Sequence, residues 1–220
     1  MNECSFNFLS GQIWRHSISG RSKNNDKYHR ILNAAVKVFA EQGFFQSTVS
    51  QIAREAGVAD GTIYLYFKNK EDILVNFFSY KTKQVFDGFR EVLKKHDNAM
   101  DKLLNLVRRH LEVFQDDLNM AIVYRAETRQ SSRLIEKQIR EMSKMYLDLV
   151  GEIVEQGQEE GSIRKDLYFR LVKQFIMGAV DDVINTWVLS KGKYELVSMA
   201  DPLVDLLVRG LGNNPAPKAG

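Results

Sequence analysis

Cysteine is almost missing from these 220 residues: Cys4 stands alone. That excludes an intramolecular disulfide framework and suits a reducing compartment. Proline is nearly as scarce, and its three copies at 202, 215 and 217 leave the long middle of the chain free of helix breakers. No apolar run approaches the ~18–20 residues of a membrane span. The first 26 residues lack the apolar stretch of a secretory signal, so the expectation is a cytoplasmic protein with no membrane contact. His16, His29, His96 and His110 are scattered, with no pair at metal-ligand spacing. A Gly-rich phosphate loop and a nucleophile elbow are also missing. The sequence therefore predicts no catalytic residue, no metal site and no resident cofactor. An enzyme on a helical scaffold is the reading these absences disfavour.

Excess charge is another thing the chain has little of, at +3 overall. Its distribution says more. Up to residue 70 there are nine Lys or Arg against five Asp or Glu, and afterwards 22 against 23. The first third thus carries +4 and the remainder −1, which puts a modest basic excess where a polyanion would be met.

That first third also holds the densest pattern. Val49, Ile52, Ala53 and Ala56 recur at i, i+3, i+4 and i+7 and predict a short amphipathic helix. Thr48 precedes it as an N-cap, and Gly57 follows where positive φ can end it. Val58 plugs the corner, and a second helix is expected from about Asp60 to Phe67. Only Ile63 and Phe67 of that helix are owed to a core. Tyr64, Leu65 and Tyr66 are left over, which suits a surface that must touch something. Two short helices around a Gly turn are the layout in which one braces the DNA backbone and the next enters the major groove. Gly61 allows close backbone approach, Thr62 can donate to phosphate or base, and the Tyr64 and Tyr66 hydroxyls can reach phosphates. Asn69 is placed to cap a third helix whose N-terminus, with Lys68 and Lys70, faces a phosphate. Thr48 joins these as a candidate DNA contact. Upstream, Tyr28 to Gln42 sets Ile31, Ala35, Val38 and Phe39 on one face, with Phe44 and Phe45 folding back toward the bracing helix. Residues 1–26 read as a flexible arm with Arg15, Arg21, Lys23 and Lys27 available to DNA.

The segment resembles the DNA-binding domain of the TetR family of bacterial repressors. The likeness rests on Thr48, Ala53-Arg54-Glu55-Ala56-Gly57-Val58, Gly61-Thr62-Ile63-Tyr64-Leu65-Tyr66-Phe67 and Lys70-Glu71-Asp72-Ile73-Leu74. Two departures are Asp72, where many members carry Glu, and Ala59, where most place a capping Ser. Loss of that hydroxyl costs roughly 1 kcal/mol, which Asp60 can offset through the helix dipole. Whether Asp60 contacts a base or points outward is left open by the sequence.

Past residue 70 the chain reads as helix almost throughout, with segments at about 70–96, 99–116, 119–130, 132–160, 167–190 and 198–210. Gly161-Ser162 ends one, Asp166 can cap the next, and Lys191-Gly192-Lys193 ends that. The expected architecture is all-α and TetR-like. An arm spans 1–26, a helix-turn-helix domain 27–73, an effector-binding and dimerisation domain 74–212, and a flexible tail 213–220. Leu171, Phe175, Ile176, Gly178, Ala179, Val183 and Trp187 cover more than one face of the 167–190 helix. Leu203, Leu206, Leu207 and Leu211 form a stripe near 198–210. A helix apolar on two sides packs inward and against a partner. In TetR proteins this pair of helices forms the homodimer interface, and a dimer suits a palindromic operator whose half-sites lie roughly 34 Å apart.

The signal read by the second domain is less legible, since apolar pocket and apolar core look alike. Arg125, Arg129 and Arg133 recur every four residues, with Arg108 and Arg109 on the preceding helix. Such a cluster is either a phosphate clamp or a solvated face balanced by Glu127 and Glu136. Within the family, the chain is most similar to the Bacillus-type fatty-acid-degradation repressors, the FadR subgroup. Ala59-Asp60-Gly61, Phe67-Lys68-Asn69-Lys70-Glu71-Asp72-Ile73-Leu74, Ala121-Ile122-Val123, Glu127-Thr128-Arg129-Gln130-Ser131, Thr186-Trp187-Val188 and Lys193-Tyr194-Glu195-Leu196-Val197 carry that likeness, over about residues 27 to 212. It implies repression of fatty-acid degradation genes, relieved by long-chain acyl-CoA. The candidate ligand residues are Arg129 and Arg125 as polar anchors, with Phe78, Phe114, Val123, Tyr146, Met177 and Trp187 along an apolar tunnel. The competing expectation is a TetR-type repressor answering another apolar small molecule, such as a drug or signal.

Overall fold

The structure, a computed structural model, describes residues 11–129 and 134–211, with side chains from Asn25 onward. Those residues are helical throughout apart from short connections and divide into two compact units, 1–74 and 75–220.

The first unit holds α1 (Gly11–Gln42), α2 (Val49–Ala56), α3 (Asp60–Ile63) and the start of α4 (Lys70–Leu93). Its core is small and almost wholly apolar. Ile31, Ala35 and Phe39 of α1 meet Ile52 and Ala53 of α2, Ile63 of α3, and Phe67 and Leu74 beyond, all nearly inaccessible to water. The expected arm needs correction: α1 begins at Gly11 and runs without a break into the packed segment. No proline stops it, and once the buried turns exist each further helical residue adds a hydrogen bond without a new nucleation cost. Residues 1–10 lie outside the described residues, as do 212–220, on which the predicted tail falls. Phe45 is a second correction. Phe44 folds inward against Phe39 with ring centroids 5.2 Å apart, but Phe45 is 72% exposed.

In the second unit α5 (Ala99–Gln115) is central. Leu103, Leu106, Val107, Leu111 and Phe114 are buried along it, and it touches α6 (Leu118–Arg129), α7 (Glu136–Glu160), α8 (Phe169–Leu189) and α9 (Ala200–Leu211). Asn98 starts α5 by accepting from the Asp101 N–H at 2.8 Å. A turn of 3-10 helix, Leu196–Met199, leads into α9, so the helix expected at 198–210 is composite. The Asp166 cap does not form. Its carboxylate instead takes two bonds from Arg164, at 3.0 and 2.7 Å, and α8 starts at Phe169 without a side-chain cap. Close packing needs glycine at one place in particular: a Cβ on Gly157 of α7 would sit 2.7 Å from Ile163 Cδ1 and 3.2 Å from Ala99 Cβ. No helix among the described residues is long and apolar enough to cross a membrane.

Candidate nucleic-acid interface and ligand chamber

The bracing helix α2 is fastened at both ends by its own sequence. Thr48 Oγ1 accepts from the Gln51 N–H at 3.2 Å while Gln51 Oε1 accepts from the Thr48 N–H at 2.8 Å. This reciprocal cap satisfies two orphan donors at once. Gly57 ends the helix at φ 62°, and the Val58 N–H turns back to the Ala53 carbonyl at 2.9 Å. Ala59 offers α3 no side-chain cap. Asp60 answers the question the sequence left open, for its carboxylate accepts from the Ser50 hydroxyl. The acid is tied to the bracing helix and holds the two helices in register.

The recognition segment is shorter as α-helix than expected. Regular α geometry ends at Ile63, and the Leu65 and Tyr66 N–H groups bond three residues back, to Thr62 at 3.2 Å and Ile63 at 3.0 Å. This tightening lets Ile63 and Phe67 both bury, with Tyr28 stacked on Phe67 at 5.0 Å. It leaves Tyr64 59% and Leu65 81% exposed on the other side. Gly61 has open space where a Cβ would stand, Lys68 is exposed and Thr62 half-buried. Tyr66 is half-buried against Tyr28, ring centroids 6.4 Å apart.

Lys70, expected at a phosphate, has partners within the protein. Its ammonium donates to the carbonyls of Phe44, Phe45 and Ser47 at 2.9, 3.0 and 3.0 Å and lies 4.7 Å over the Phe44 ring. All three protons are committed, so the side chain closes the turn between α1 and α2 instead of facing a phosphate. Asn69 caps α4 as expected, accepting from the Asp72 N–H at 2.8 Å. Asp72 returns a bond from the Lys68 N–H at 2.9 Å.

In the second unit, α4 to α8 line a partly open apolar chamber of about 80 Å³. Phe77, Phe78, Phe86 and Phe89 come from α4, Phe114 from α5, Met120 from α6, Met142 and Tyr146 from α7, and Met177 from α8. Phe78, Phe114, Tyr146 and Met177 are thus brought together as expected. Val123 and Trp187 are not. Val123 is buried on α6 away from the chamber. Trp187 packs against Gly192 and donates its indole N–H to the Tyr194 carbonyl at 2.8 Å. Both are core residues of a kind that sequence cannot separate from pocket lining.

Thr82, His110 and Tyr146 give the chamber its polar character. His110 and Tyr146 stack at 4.8 Å between ring centroids, and the His110 Nδ1, Tyr146 hydroxyl and Thr82 hydroxyl have no hydrogen-bond partner among the described residues. Burial holds the His110 imidazole neutral, its pKa down to about 4. Asp181 is pushed up to about 6 by burial. The Tyr124 and Tyr146 hydroxyls are raised mainly by burial and secondarily by the Asp181 charge.

A second, more polar pocket adjoins. Arg125, Thr128, Arg129, Asp182 and Asn185 line it, and it shares Tyr124, Ser143 and Asp181 with the chamber. Arg125 donates from Nε to Asn185 Oδ1, and Arg129 is exposed at the end of α6. The wider arginine cluster does not assemble. Arg108 pairs with Asp201 at 2.8 Å and Arg109 with Glu112 at 3.1 Å, while Arg133 lies outside the described residues.

Comparison with known proteins gives this geometry a context. Residues 31–76 match the model of bacterial regulatory proteins of the tetR family, and residues 78–210 match the C-terminal region of YsiA-like proteins. The fatty acid metabolism regulator protein of Bacillus subtilis is 43% identical over 187 residues, covering 85% of this chain and 96% of that one. Among solved structures, the fatty acid degradation regulator FadR from Bacillus halodurans superposes with a TM-score of 0.79 at 42% identity, over 84% of this chain and 96% of that one. FadR from Bacillus subtilis, solved in complex with stearoyl-CoA, superposes with a TM-score of 0.77 at 43% identity, over 84% and 99%.

Proposed function

Because this chain belongs to the TetR family of bacterial regulators, we propose that it represses fatty-acid degradation genes and is released from a palindromic operator by long-chain acyl-CoA. The observation that carries the effector is the junction of two unlike pockets. An apolar chamber suits an acyl tail, and the adjoining pocket brings Arg125 and Arg129 toward the phosphates of a coenzyme A head. The similarity to a regulator solved with stearoyl-CoA supports the same pairing.

DNA contact falls to Gly61, Thr62, Tyr64, Tyr66 and Lys68, with Leu65 offering apolar surface to thymine methyls. Thr48 acts by capping α2, and Lys70 by closing the turn beside it. Coupling runs through α4, one continuous helix whose first turn belongs to the reading head and whose Phe77, Phe78, Phe86 and Phe89 line the chamber. Ligand that packs against those rings favours one placement of α4, and operator DNA favours the other. Each ligand then weakens the other by the same factor. Two such chains, joined through α8 and α9, present two heads to the operator.

The test is operator binding by the dimer, followed by fluorescence anisotropy while acyl-CoA is titrated. Release by long-chain acyl-CoA, with none from coenzyme A alone, is the expected outcome. Arg129→Ala should raise the concentration needed by about 10-fold, the loss of one charge-assisted contact. Operator binding indifferent to acyl-CoA would leave a TetR repressor with some other apolar signal.

A further inference from the structure

Asp181 is the one acidic side chain lining both pockets. It sits on α8 where the apolar chamber gives way to the arginine-lined pocket, with Tyr124 and Ser143 forming the rest of the shared wall. Burial first, and the Asp181 charge second, keep the Tyr124 and Tyr146 hydroxyls protonated. Among the described residues it has neither a hydrogen bond nor an ion pair. Of the cations lining the two pockets, Arg125 turns its Nε to Asn185 and Lys81 pairs with Asp117 at 3.3 Å. A half-buried carboxylate without a compensating cation is unfavourable for folding, so its presence at this junction calls for a role.

The geometry points to Asp181 as the residue that sets head-group specificity, admitting a neutral acyl ester or thioester and turning away the free carboxylate of the same chain. This rests on the acyl-ligand reading above. A chain that fills the chamber with its head directed outward must carry its first polar atoms past the wall that Tyr124, Ser143 and Asp181 share. A thioester or ester places a neutral carbonyl there, within the chemistry of the Tyr124 and Ser143 hydroxyls as donors. A fatty acid places a second negative charge beside the first in a poorly solvated site, where like charges repel far more strongly than in water. The signal is thereby restricted to the activated form of the chain, by repulsion of the competitor as much as by attraction of the ligand.

The experiment measures equilibrium dialysis of dodecanoate, methyl dodecanoate and dodecanoyl-CoA against the full chain at mildly alkaline pH. The methyl ester removes the charge without adding a coenzyme, so it isolates the effect assigned to Asp181. The wild-type protein should bind the ester at least about 10-fold more tightly than the acid, and Asp181→Asn should bring the two within about 2-fold. Asp181→Ser should do the same, and Asp148→Asn, exposed on α7 and outside both pockets, should leave the ratio as it is. An unchanged ratio in both Asp181 variants, each melting no lower than the wild type, would overturn the assignment. So would equal wild-type affinity for acid and ester. If the gap closes in Asp181→Asn but dodecanoyl-CoA does not bind the wild type, the filter stands and the acyl-CoA reading fails. If dodecanoyl-CoA binds and releases operator while the gap persists, the reverse holds.

Discussion

Lys70 stabilises its unit through three bonds from one ammonium to carbonyls of the turn between α1 and α2. Methionine keeps most of the stem and removes all three donors, leaving carbonyls with poorer partners. Lys70→Met should therefore destabilise the first unit by about 1–3 kcal/mol, read as a lower denaturant midpoint. Stability unchanged in that variant would return Lys70 to the role of a phosphate contact. His110 makes a pH-dependent contribution of opposite character. Its neutral form is buried, with a pKa of about 4 against an ordinary 6.5. Between those values the unfolded chain binds the proton and the folded chain does not, so stability falls as pH drops from 6.5 toward 4. Above 6.5 the contribution is complete. His110→Phe should remove up to about 3 kcal/mol of that loss, measured as a shallower dependence of melting temperature on pH below neutrality. Asp181, raised to about 6 by burial, works in the opposite direction over the acidic part of the same range, and comparison with the variant cancels it. Neither Lys70 nor His110 was legible in the sequence. The lysine's partners lie more than twenty residues upstream, and a lone histidine on an apolar face says nothing of its solvation.

At the level of elements, the parts governed by local chemistry were readable. The Thr48 cap, the Gly57 turn and the Asn69 cap each form within a few residues of chain, and the order of the long helices follows from the scarcity of breakers between them. The periodicity predicts too long a recognition helix, because its geometry is set by two anchors, Ile63 and Phe67, that must reach one core. Pocket and core were inseparable for a related reason: Val123 and Trp187 have the apolarity of Phe114 and Met177 but face different neighbours. Two helical glycines show how neighbours decide the sign of one substitution. Alanine is preferred over glycine inside a helix by about 0.8–1 kcal/mol. At Gly178 of α8 a Cβ meets nothing within 4 Å, so Gly178→Ala should keep that gain in a monomeric chain. At Gly157 the new methyl meets Ile163 Cγ1 at 2.8 Å and the Ala99 Cβ at 3.2 Å. Ile163 is almost wholly buried and cannot retreat cheaply, so overpacking of about 1–3 kcal/mol should outweigh the gain. A Gly157→Ala protein as stable as the wild type would mean that the α7 end opens more easily than its packing implies.

At the scale of the whole molecule, the question is why a chain with a well-buried interior leaves large apolar side chains in water. Leu171 is 61% exposed, Phe175 56% and Leu206 70%. Leu171, Phe175 and Gly178 recur at helical spacing on α8, opposite the face of Val172, Ile176 and Val180 that the core has taken. We propose that a second copy of the chain covers this stripe, where the open space over Gly178 and Gly210 would let helices approach closely. Phe175→Glu should then give a monomer in sedimentation velocity, since a charge in the middle of an apolar interface is costly to desolvate. Folding should persist, because the substituted side chain already faces water. The consequence for DNA separates this from a merely sticky surface. One head on one half-site loses the effective concentration that links the two binding events, a factor of about 10²–10⁴, and roughly half of the phosphate contacts. Operator affinity should fall by that factor and its dependence on salt should become about half as steep. A Phe175→Glu monomer that binds the palindrome with wild-type affinity and salt slope would show that a single head suffices, and the α8–α9 surface would need another partner.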